Sequence, residues 1–191
     1  MSEQMAFDWP SAATAPVLAI GLMSGTSQDG VDVALIDTDG ERIAQLGATA
    51  CRPYGKAERT LLRRATAAAA NLTDRTARPE VVAEAERLIN DAHGEAVESF
   101  LAANGLQHGE VAVVGFPGQT LLHRPERHLT LQIGDGAALA ARLGTPVVCM
   151  IFVRRTWPRA GRARRLRQSF TARWCGNCSA LRRSPCSIWA V

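Results

Sequence analysis

This sequence has no long apolar run, and its first residues do not have the pattern of a secretion signal. No stretch of its 191 residues approaches the length that a membrane-spanning helix needs. The first residues include Glu3 and Asp8 and lack the basic-then-apolar order of a signal peptide. We therefore expect a cytoplasmic protein without a membrane partner, and a flexible lead-in over residues 1–16.

The chain also has no histidine at a spacing typical of metal ligands. His93, His108, His123 and His128 form no such pattern with cysteines or carboxylates, so we assign them surface or packing roles. No internal repeat is present. With 47% hydrophobic and 21% charged residues, the composition is typical of a globular protein, and the length suffices for one well-buried domain.

Acidic residues are absent from residues 149–191, which hold ten arginines and a net charge of +10. Residues 1–148 hold all 18 acidic residues and 12 basic ones, which gives a net charge of −6. Such an asymmetry usually indicates a tail that binds nucleic acid or a membrane. Four of the five cysteines and three of the four tryptophans also follow residue 148, however, and solvated basic tails are usually poor in both.

One segment near the start has the pattern of strand, tight polar turn and strand. The apolar run Val17–Met23 predicts a buried strand, and Val31–Asp37 predicts a second. The turn between them has two glycines and four small polar or acidic residues. Such a turn can direct backbone N–H groups and hydroxyls into one concavity that suits phosphate oxygens. Asp29 and Asp32 suit Mg²⁺ or its waters, so the segment indicates phosphoryl transfer from a nucleotide.

The same segment resembles the first phosphate-binding hairpin of the anhydro-N-acetylmuramic acid kinases, a family of the sugar kinase, Hsp70 and actin superfamily. The residues that carry the resemblance are Met23-Ser24-Gly25-Thr26-Ser27 and Asp29-Gly30-Val31-Asp32. The resemblance implies that ATP is bound by Gly25, Thr26, Ser27, Gln28, Asp29, Gly30, Val31 and Asp32. It also implies a Mg²⁺ site at Asp29 and Asp32, directly or through waters. The alternative is an ordinary hairpin with a polar turn.

A second block resembles the sugar-side motifs of the same family, in the same order. It consists of Val113–Thr120, then His123-Arg124-Pro125, then Leu131–Gly136. In this block Gln119 and Arg124 are candidates to hold the polar groups or the carboxylate of a sugar substrate, since arginine grips carboxylates bidentately. The alternative is that both are structural loop residues. The family usually has Ser-His before Gly-Gln-Thr, whereas this chain has Phe116-Pro117, a departure that would weaken substrate contacts.

Elsewhere, local patterns predict further strands and helices. The predicted elements are a third strand over Glu41–Cys51, helices over Lys56–Asn71 and from Pro79 to near Gly105, strands over Val111–Gly115 and Leu129–Ile133, a helix over Ala137–Leu143 that Asp135 caps, and a strand over Pro146–Val148. This order predicts an α/β fold, a ribonuclease-H-like or actin-like ATPase N-terminal lobe with a mixed sheet and flanking helices. The lobe spans residues 17–148 and is truncated there.

A shifted reading frame accounts for the composition of residues 149–191. When the last base of each codon is read with the first two of the next, the Met150–Ile151 junction encodes only Asp and the Trp157–Pro158 junction only Ala. The other junctions permit a run over Cys149–Leu166 that resembles the family's next motif. We therefore expect residues from about 149 onward to be an out-of-frame translation that forms a basic, disordered tail.

Two patterns within this tail look functional in isolation. Cys175 and Cys178 have the spacing of a thioredoxin-type redox pair, but no βαβ pattern precedes them. The arginines between Arg154 and Arg167 could neutralise phosphates non-specifically, but no module that reads nucleic acid is recognisable. We therefore predict no redox activity and no specific nucleic-acid partner.

The resemblance implies an ATP-dependent kinase whose substrate is a small molecule, 1,6-anhydro-N-acetylmuramic acid. Such an enzyme opens the anhydro ring and phosphorylates O6, giving N-acetylmuramate 6-phosphate for peptidoglycan recycling. The family's general-base aspartate lies beyond residue 148, where this chain has no acidic residue, so we expect this chain to be inactive. Two alternatives stay open: a fragment that is inert or binds nucleic acid non-specifically, and a kinase of another small sugar or carboxylic acid.

Overall fold

The computed structural model describes residues 15–127 and 129–149 of the chain. Most of the predicted lead-in, nearly all of the predicted tail, the Cys175–Cys178 pair and His128 lie outside the described residues. Within them lie seven strands: β1 (Val17–Met23), β2 (Gly30–Thr38), β3 (Ile43–Pro53), β4 (Val111–Phe116), β5 (Gln119–Arg124), β6 (Leu129–Ile133) and β7 (Val147–Cys149). The helices are α1 (Lys56–Ala69), α2 (Glu80–Ala103) and α3 (Gly136–Leu143).

Five of these strands form a mixed sheet in the order β3-β2-β1-β4-β7. The first three strands are joined as antiparallel neighbours, while β4 pairs parallel with β1 and β7 pairs parallel with β4. The predicted fold class, a mixed sheet with flanking helices of the actin-like kind, is confirmed. The central position of β1 follows from its sequence, because Ile20 and Leu22 are buried on the helix side and the strand has no charged residue.

The long helix α2 holds the core together by packing against α1, α3 and β2. Its buried positions recur at helical spacing: Val82, Ala85, Ile89, Ala92, His93, Ala96, Val97 and Phe100. Burying a side chain of the size of Ile89 or Phe100 stabilises the fold by about 1.5–3 kcal/mol. None of the helices in the described ranges is long and apolar enough to cross a membrane.

Element boundaries differ from the predictions in ways that local chemistry explains. Pro79 is the N-cap residue of α2 rather than its first helical residue, and its carbonyl accepts the first N–H bonds of the helix. Gly105 follows the last turn with a φ of 65°, as predicted for a residue that ends a helix. Asp135 caps α3 as predicted, with its Oδ1 accepting from the N–H groups of Ala137 and Ala138 at 2.9 and 3.1 Å.

The strand β5 is absent from the predictions, which treated Gln119–Arg124 only as part of a motif. It pairs antiparallel with β6 in a separate two-stranded sheet. Within β5 only Leu121 and Leu122 are apolar, and they are adjacent rather than alternating. The strand therefore depends on its pairing with β6, which no short-range pattern indicates.

Candidate functional site

The candidate site lies where the parallel strands β1, β4 and β7 end. Their carboxyl ends are at Met23, Phe116 and Cys149, on one edge of the sheet. From β1 the chain turns to β2, and from β4 it continues toward β7 on the opposite side of the sheet. In open α/β sheets, ligands bind outside the carboxyl ends of strands at such a switch point. The two motifs follow β1 and β4, so they meet there.

The residues between β1 and β2 form the tight turn that the sequence predicts. The strands are in antiparallel register with Met23 opposite Asp32, and the N–H of Gln28 donates to the carbonyl of Gly25 at 3.1 Å. Gln28 has a φ of 58°, in the left-handed region that residues other than glycine seldom adopt. The hairpin interpretation of Gly25–Asp32 is therefore confirmed.

Of the eight residues assigned to ATP, only some are accessible. Thr26, Ser27 and Asp29 are exposed, and Gly25 and Asp32 are half-buried. These five residues can reach a ligand, whereas Gln28, Gly30 and Val31 are buried.

The three buried residues support the turn from inside. The side-chain amide of Gln28 donates to Thr66 Oγ1 on α1 at 3.1 Å. A Cβ atom on Gly30 would lie 2.5 Å from the carbonyl oxygen of Arg52, so the approach of β3 at this point requires glycine. Val31 belongs to the hydrophobic core. All three are therefore structural parts of the turn.

Gln119 is fully buried and connects the second motif to the turn. Its Oε1 accepts a hydrogen bond from Ser24 Oγ at 2.5 Å. Its Nε2 donates to the carbonyl oxygens of Gly25 at 3.2 Å and Thr120 at 3.3 Å. Both amide hydrogens are therefore used inside the protein, which leaves none for a sugar. The role of Gln119 as a substrate ligand stays a prediction; its observed partners are Ser24, Gly25 and its own neighbour Thr120.

Tyr54, the single tyrosine of the chain, supports the turn from the other side. Its hydroxyl lies 3.1 Å from Ser24 Oγ, and its backbone N–H donates to the carbonyl of Asp29 at 2.8 Å. Burial raises the pKa of Tyr54 to about 12, so the phenol is neutral at physiological pH. No sequence pattern points to this residue, because it is an isolated tyrosine between a strand and a helix.

An ion-pair cluster next to Tyr54 joins β3 to both long helices. Arg52 lies 2.8 Å from Glu58 of α1 and 2.7 Å from Glu95 of α2, and its guanidinium is 5.9 Å from the centre of the Tyr54 ring. The hydrogen bond that Arg52 donates to Glu58 raises the pKa of Arg52 and lowers the pKa of Glu58. Both groups therefore stay charged around neutral pH.

Arg124 is not near Gln119. It ends the six-residue strand β5 that Gln119 begins, which separates the two residues by about 16 Å at the usual rise per strand residue. Its side chain is half-buried. The structure therefore unites Gln119 with the turn but places Arg124 at the other end of the second motif.

Phe116 and Pro117, the two residues before Gly118, make local contacts within the protein. Phe116 is buried, and its ring meets His93 edge-on with the centroids 4.9 Å apart. The carbonyl of Pro117 accepts from Gln132 Nε2 at 3.3 Å. Gly134, with a φ of 130°, leaves room for the ring, since a Cβ there would lie 2.6 Å from Phe116. An apolar ring thus fills this space.

Side chains of α2 hold the loop that precedes α3. Glu86 accepts from the N–H of Gly134 at 3.0 Å, and Asn90 accepts from the N–H of Asp135 at 2.9 Å. Arg78 pairs with Glu86 at 3.0 Å. These hydrogen bonds attach the loop to α2.

No group of three or more histidines, cysteines or carboxylates that could hold a metal occurs in residues 15–127 and 129–149. A magnesium ion that arrives with a nucleotide needs less, because it keeps several waters and takes one or two carboxylates plus phosphate oxygens. Asp29, which is exposed in the turn, and Asp32, which is half-buried in β2, are carboxylates of the kind that such an ion takes.

Comparisons with known proteins point to one family. Residues 17–163 match the family model described as anhydro-N-acetylmuramic acid kinase. A protein of that name from Rhodopseudomonas palustris is 61% identical over 131 residues, which cover 69% of this chain and 36% of the relative. Relatives of the same name from Nitrobacter winogradskyi (58% over 130 residues) and Methylorubrum extorquens (57% over 140 residues) each match 68% of this chain. The chain covers 36% and 37% of these two, so it spans about a third of the length of the curated relatives it matches.

Proposed function

The chain belongs to the anhydro-N-acetylmuramic acid kinase family, and from that premise we propose that it carries the phosphate-binding lobe of an ATP-dependent kinase of 1,6-anhydro-N-acetylmuramic acid. The observation that carries the proposal is the Gly25–Asp29 turn at the carboxyl end of β1, which Gln119 connects to the second motif. This arrangement gives one edge of the sheet a phosphate-binding loop and a neighbouring segment for an acceptor.

The proposed reaction couples ring opening to phosphoryl transfer. A carboxylate takes a proton from water, whose oxygen attacks the anomeric carbon. The bond from that carbon to O6 breaks, and O6 attacks the γ-phosphorus of ATP as the bond to the bridging oxygen breaks. The products are N-acetylmuramate 6-phosphate and ADP. We place this reaction in the cytoplasm, as a step of peptidoglycan recycling.

We assign the phosphates to the exposed part of the turn. The hydroxyls of Thr26 and Ser27 and the N–H groups around them are the accessible donors. Asp29 and Asp32 would hold Mg²⁺ through its waters, and the bound ion would neutralise phosphate charge. Arg124 remains our candidate for the carboxylate of the sugar, because a guanidinium can grip it with two parallel hydrogen bonds.

We propose that the 191-residue chain is itself inactive. The family's general base is expected after residue 148, and residues 149–191 have no carboxylate side chain. An out-of-frame translation from about residue 149 explains both this absence and the ten arginines. The family match continues to residue 163, beyond the proposed frame change at about residue 149. Sequencing the gene across codons 149–163 therefore tests where the native reading frame ends.

The substrate assignment is tested with the chain after its frame is restored downstream of Val148. ATP-dependent phosphorylation is measured on 1,6-anhydro-N-acetylmuramic acid, on N-acetylmuramic acid without the anhydro ring, and on other small sugars and carboxylic acids. The relative from Rhodopseudomonas palustris serves as the positive control. We expect phosphorylation at O6 of the anhydro sugar only. A preference for another acceptor would overturn the substrate assignment but would leave the assignment of the protein as a kinase in place.

A further inference from the structure

We propose that Gln119 is a positioning residue, which holds the phosphate-binding turn at the carbonyl of Gly25 instead of contacting the sugar. This proposal rests on the function proposed above, since it assigns a role within that site. The motif around Gln119 resembles a sugar-side motif, and the residue itself was predicted to bind substrate. Its burial and its partners point to a different role.

Gln119 has no exposed polar atom to offer a ligand. Its side chain is 0% exposed, and it makes three hydrogen bonds. Turning the amide toward a sugar would leave the hydroxyl of Ser24 and the carbonyl of Gly25 without this partner. Each of these two groups would then lose one of its two hydrogen bonds, and losing a hydrogen bond between buried groups is costly.

The hydrogen bond from Gln119 reaches the same carbonyl that holds Gln28, a residue in the left-handed conformation. The carbonyl of Gly25 accepts from both the N–H of Gln28 and the side chain of Gln119, at 3.1 and 3.2 Å. Gln28 has the positive φ of 58°. A residue other than glycine keeps this conformation only where its surroundings determine it, and the two bonds to Gly25 are part of those surroundings.

The hydrogen bonds that anchor the turn also determine which of its residues stay exposed. Tyr54 and Thr66 bind the carbonyl of Asp29 and the side chain of Gln28, so with Gln119 the turn is anchored on three sides. Thr26 and Ser27 remain exposed between these anchors. Because Gln119 also begins β5, it fixes the distance between the phosphate-binding turn and the segment assigned to the sugar. Phosphoryl transfer depends on such positioning.

The proposal is tested on the 191-residue chain with four variants. Gln119→Met keeps the shape of the side chain and removes all three bonds. Gln119→Glu keeps the acceptor for Ser24 and removes the donor to Gly25, whereas Ser24→Ala leaves that donor in place. Gln132→Met is the matched control, since Gln132 donates to Pro117 in the neighbouring loop and not to the turn.

The readout is amide hydrogen exchange of residues 24–30, expressed as protection relative to an unstructured peptide, with α2 as an internal reference. We expect about tenfold lower protection of the turn in Gln119→Met and in Gln119→Glu, with α2 unchanged, which is the size expected for one lost hydrogen bond. Ser24→Ala and Gln132→Met should leave the protection of Gln28 within about twofold of the original chain.

A pH series on Gln119→Glu separates a specific donor from general packing. Burial raises the pKa of a carboxyl group, and once protonated this carboxyl can donate to Gly25 again. Protection of the turn in this variant should therefore recover as the pH falls, while Gln119→Met stays unprotected. Equal protection in all variants, or no recovery in Gln119→Glu, would overturn the positioning role.

A second arm uses MgATP and nuclear magnetic resonance of the Gly25–Gly30 amides. If the turn binds phosphate, Gln119→Met should weaken the binding about tenfold more than Gln132→Met does, in line with its loss of protection. If the original chain gives no shift at any MgATP concentration while the exchange results hold, the positioning role stands and the phosphate assignment fails. The two failures are thus distinguishable.

Discussion

His93 of α2 meets Phe116 edge-on, with the ring centroids 4.9 Å apart and the planes at 77°. The imidazole is fully buried, and its Nδ1 donates to the carbonyl of Ile89 at 2.7 Å. Its Nε2 has no hydrogen-bond partner among the described residues. This pair packs Phe116, a residue of the second motif, against α2, and the buried imidazole makes the core sensitive to protonation.

We predict that the chain loses stability below neutral pH through His93. Burial lowers the pKa of His93 from 6.5 to about 4. Because the pKa of His93 is lower in the folded chain, the unfolded chain takes up this proton first as the pH falls. The stability that the neutral imidazole contributes is therefore fully present above pH 6.5 and is lost as the pH falls toward 4. The free energy of unfolding in urea should fall by about 2 kcal/mol between pH 7.5 and pH 4.5 on this account.

The control for this measurement is a pair of histidine variants. His93→Gln removes the buried titration, so the decline over this pH range should become shallower. His108→Gln removes an exposed histidine and should leave the original pH dependence in place. Carboxylates such as Glu58, whose pKa is lowered by the hydrogen bond from Arg52, contribute a decline that all three proteins share. Parallel curves for all three would contradict the role of His93.

We predict that Gly30→Ala destabilises the lobe, because its new methyl group would meet backbone atoms of β3. The Cβ would lie 2.5 Å from the carbonyl oxygen of Arg52 and 2.9 Å from the Cα of Pro53. A cost of about 1–3 kcal/mol is typical of overpacking, and it is read from urea unfolding. Gly109→Ala is the matched control, since a Cβ there meets nothing within 4 Å. Equal stabilities would show that β2 and β3 can separate here.

We predict that Asp29→Ala lowers turnover in the chain with its frame restored, by impairing the arrangement of metal and phosphate. The stability of the lobe should change little, because Asp29 is exposed and its described contact to Tyr54 comes from the backbone. The measurement is the rate of sugar phosphorylation across a Mg²⁺ series. The control is Asp91→Ala, which removes a largely exposed carboxylate on α2. If both variants keep full turnover, the assignment of Asp29 is wrong.

The elements with strong local patterns were predictable from the sequence. The apolar run of β1, the helical spacing of α2 and the cap at Asp135 each depend on residues close in the chain. The hairpin at Gly25–Asp32 was predictable for the same reason. These elements already determine the fold class.

The hydrogen bonds inside the site were not predictable, because they join residues that are far apart in the sequence. Ser24 and Gln119 are 95 positions apart, and Ser24 and Tyr54 are 30 apart. Only the register of β1, β2 and β3 and the start of β5 bring them together. In a single sequence, nothing distinguishes a glutamine that will be buried from one that will be exposed. That is why Gln119 was predicted as a ligand of the sugar while the structure places it under the turn.

The most direct test compares the 191-residue chain with the same chain after its frame is restored downstream of Val148. Both are assayed for ATP-dependent formation of N-acetylmuramate 6-phosphate from the anhydro sugar, at equal concentrations. We predict no turnover by the 191-residue chain and clear turnover by the restored one, since the general base is proposed to lie after residue 148 in the native frame. Turnover by the 191-residue chain, or none by the restored chain, would contradict the account.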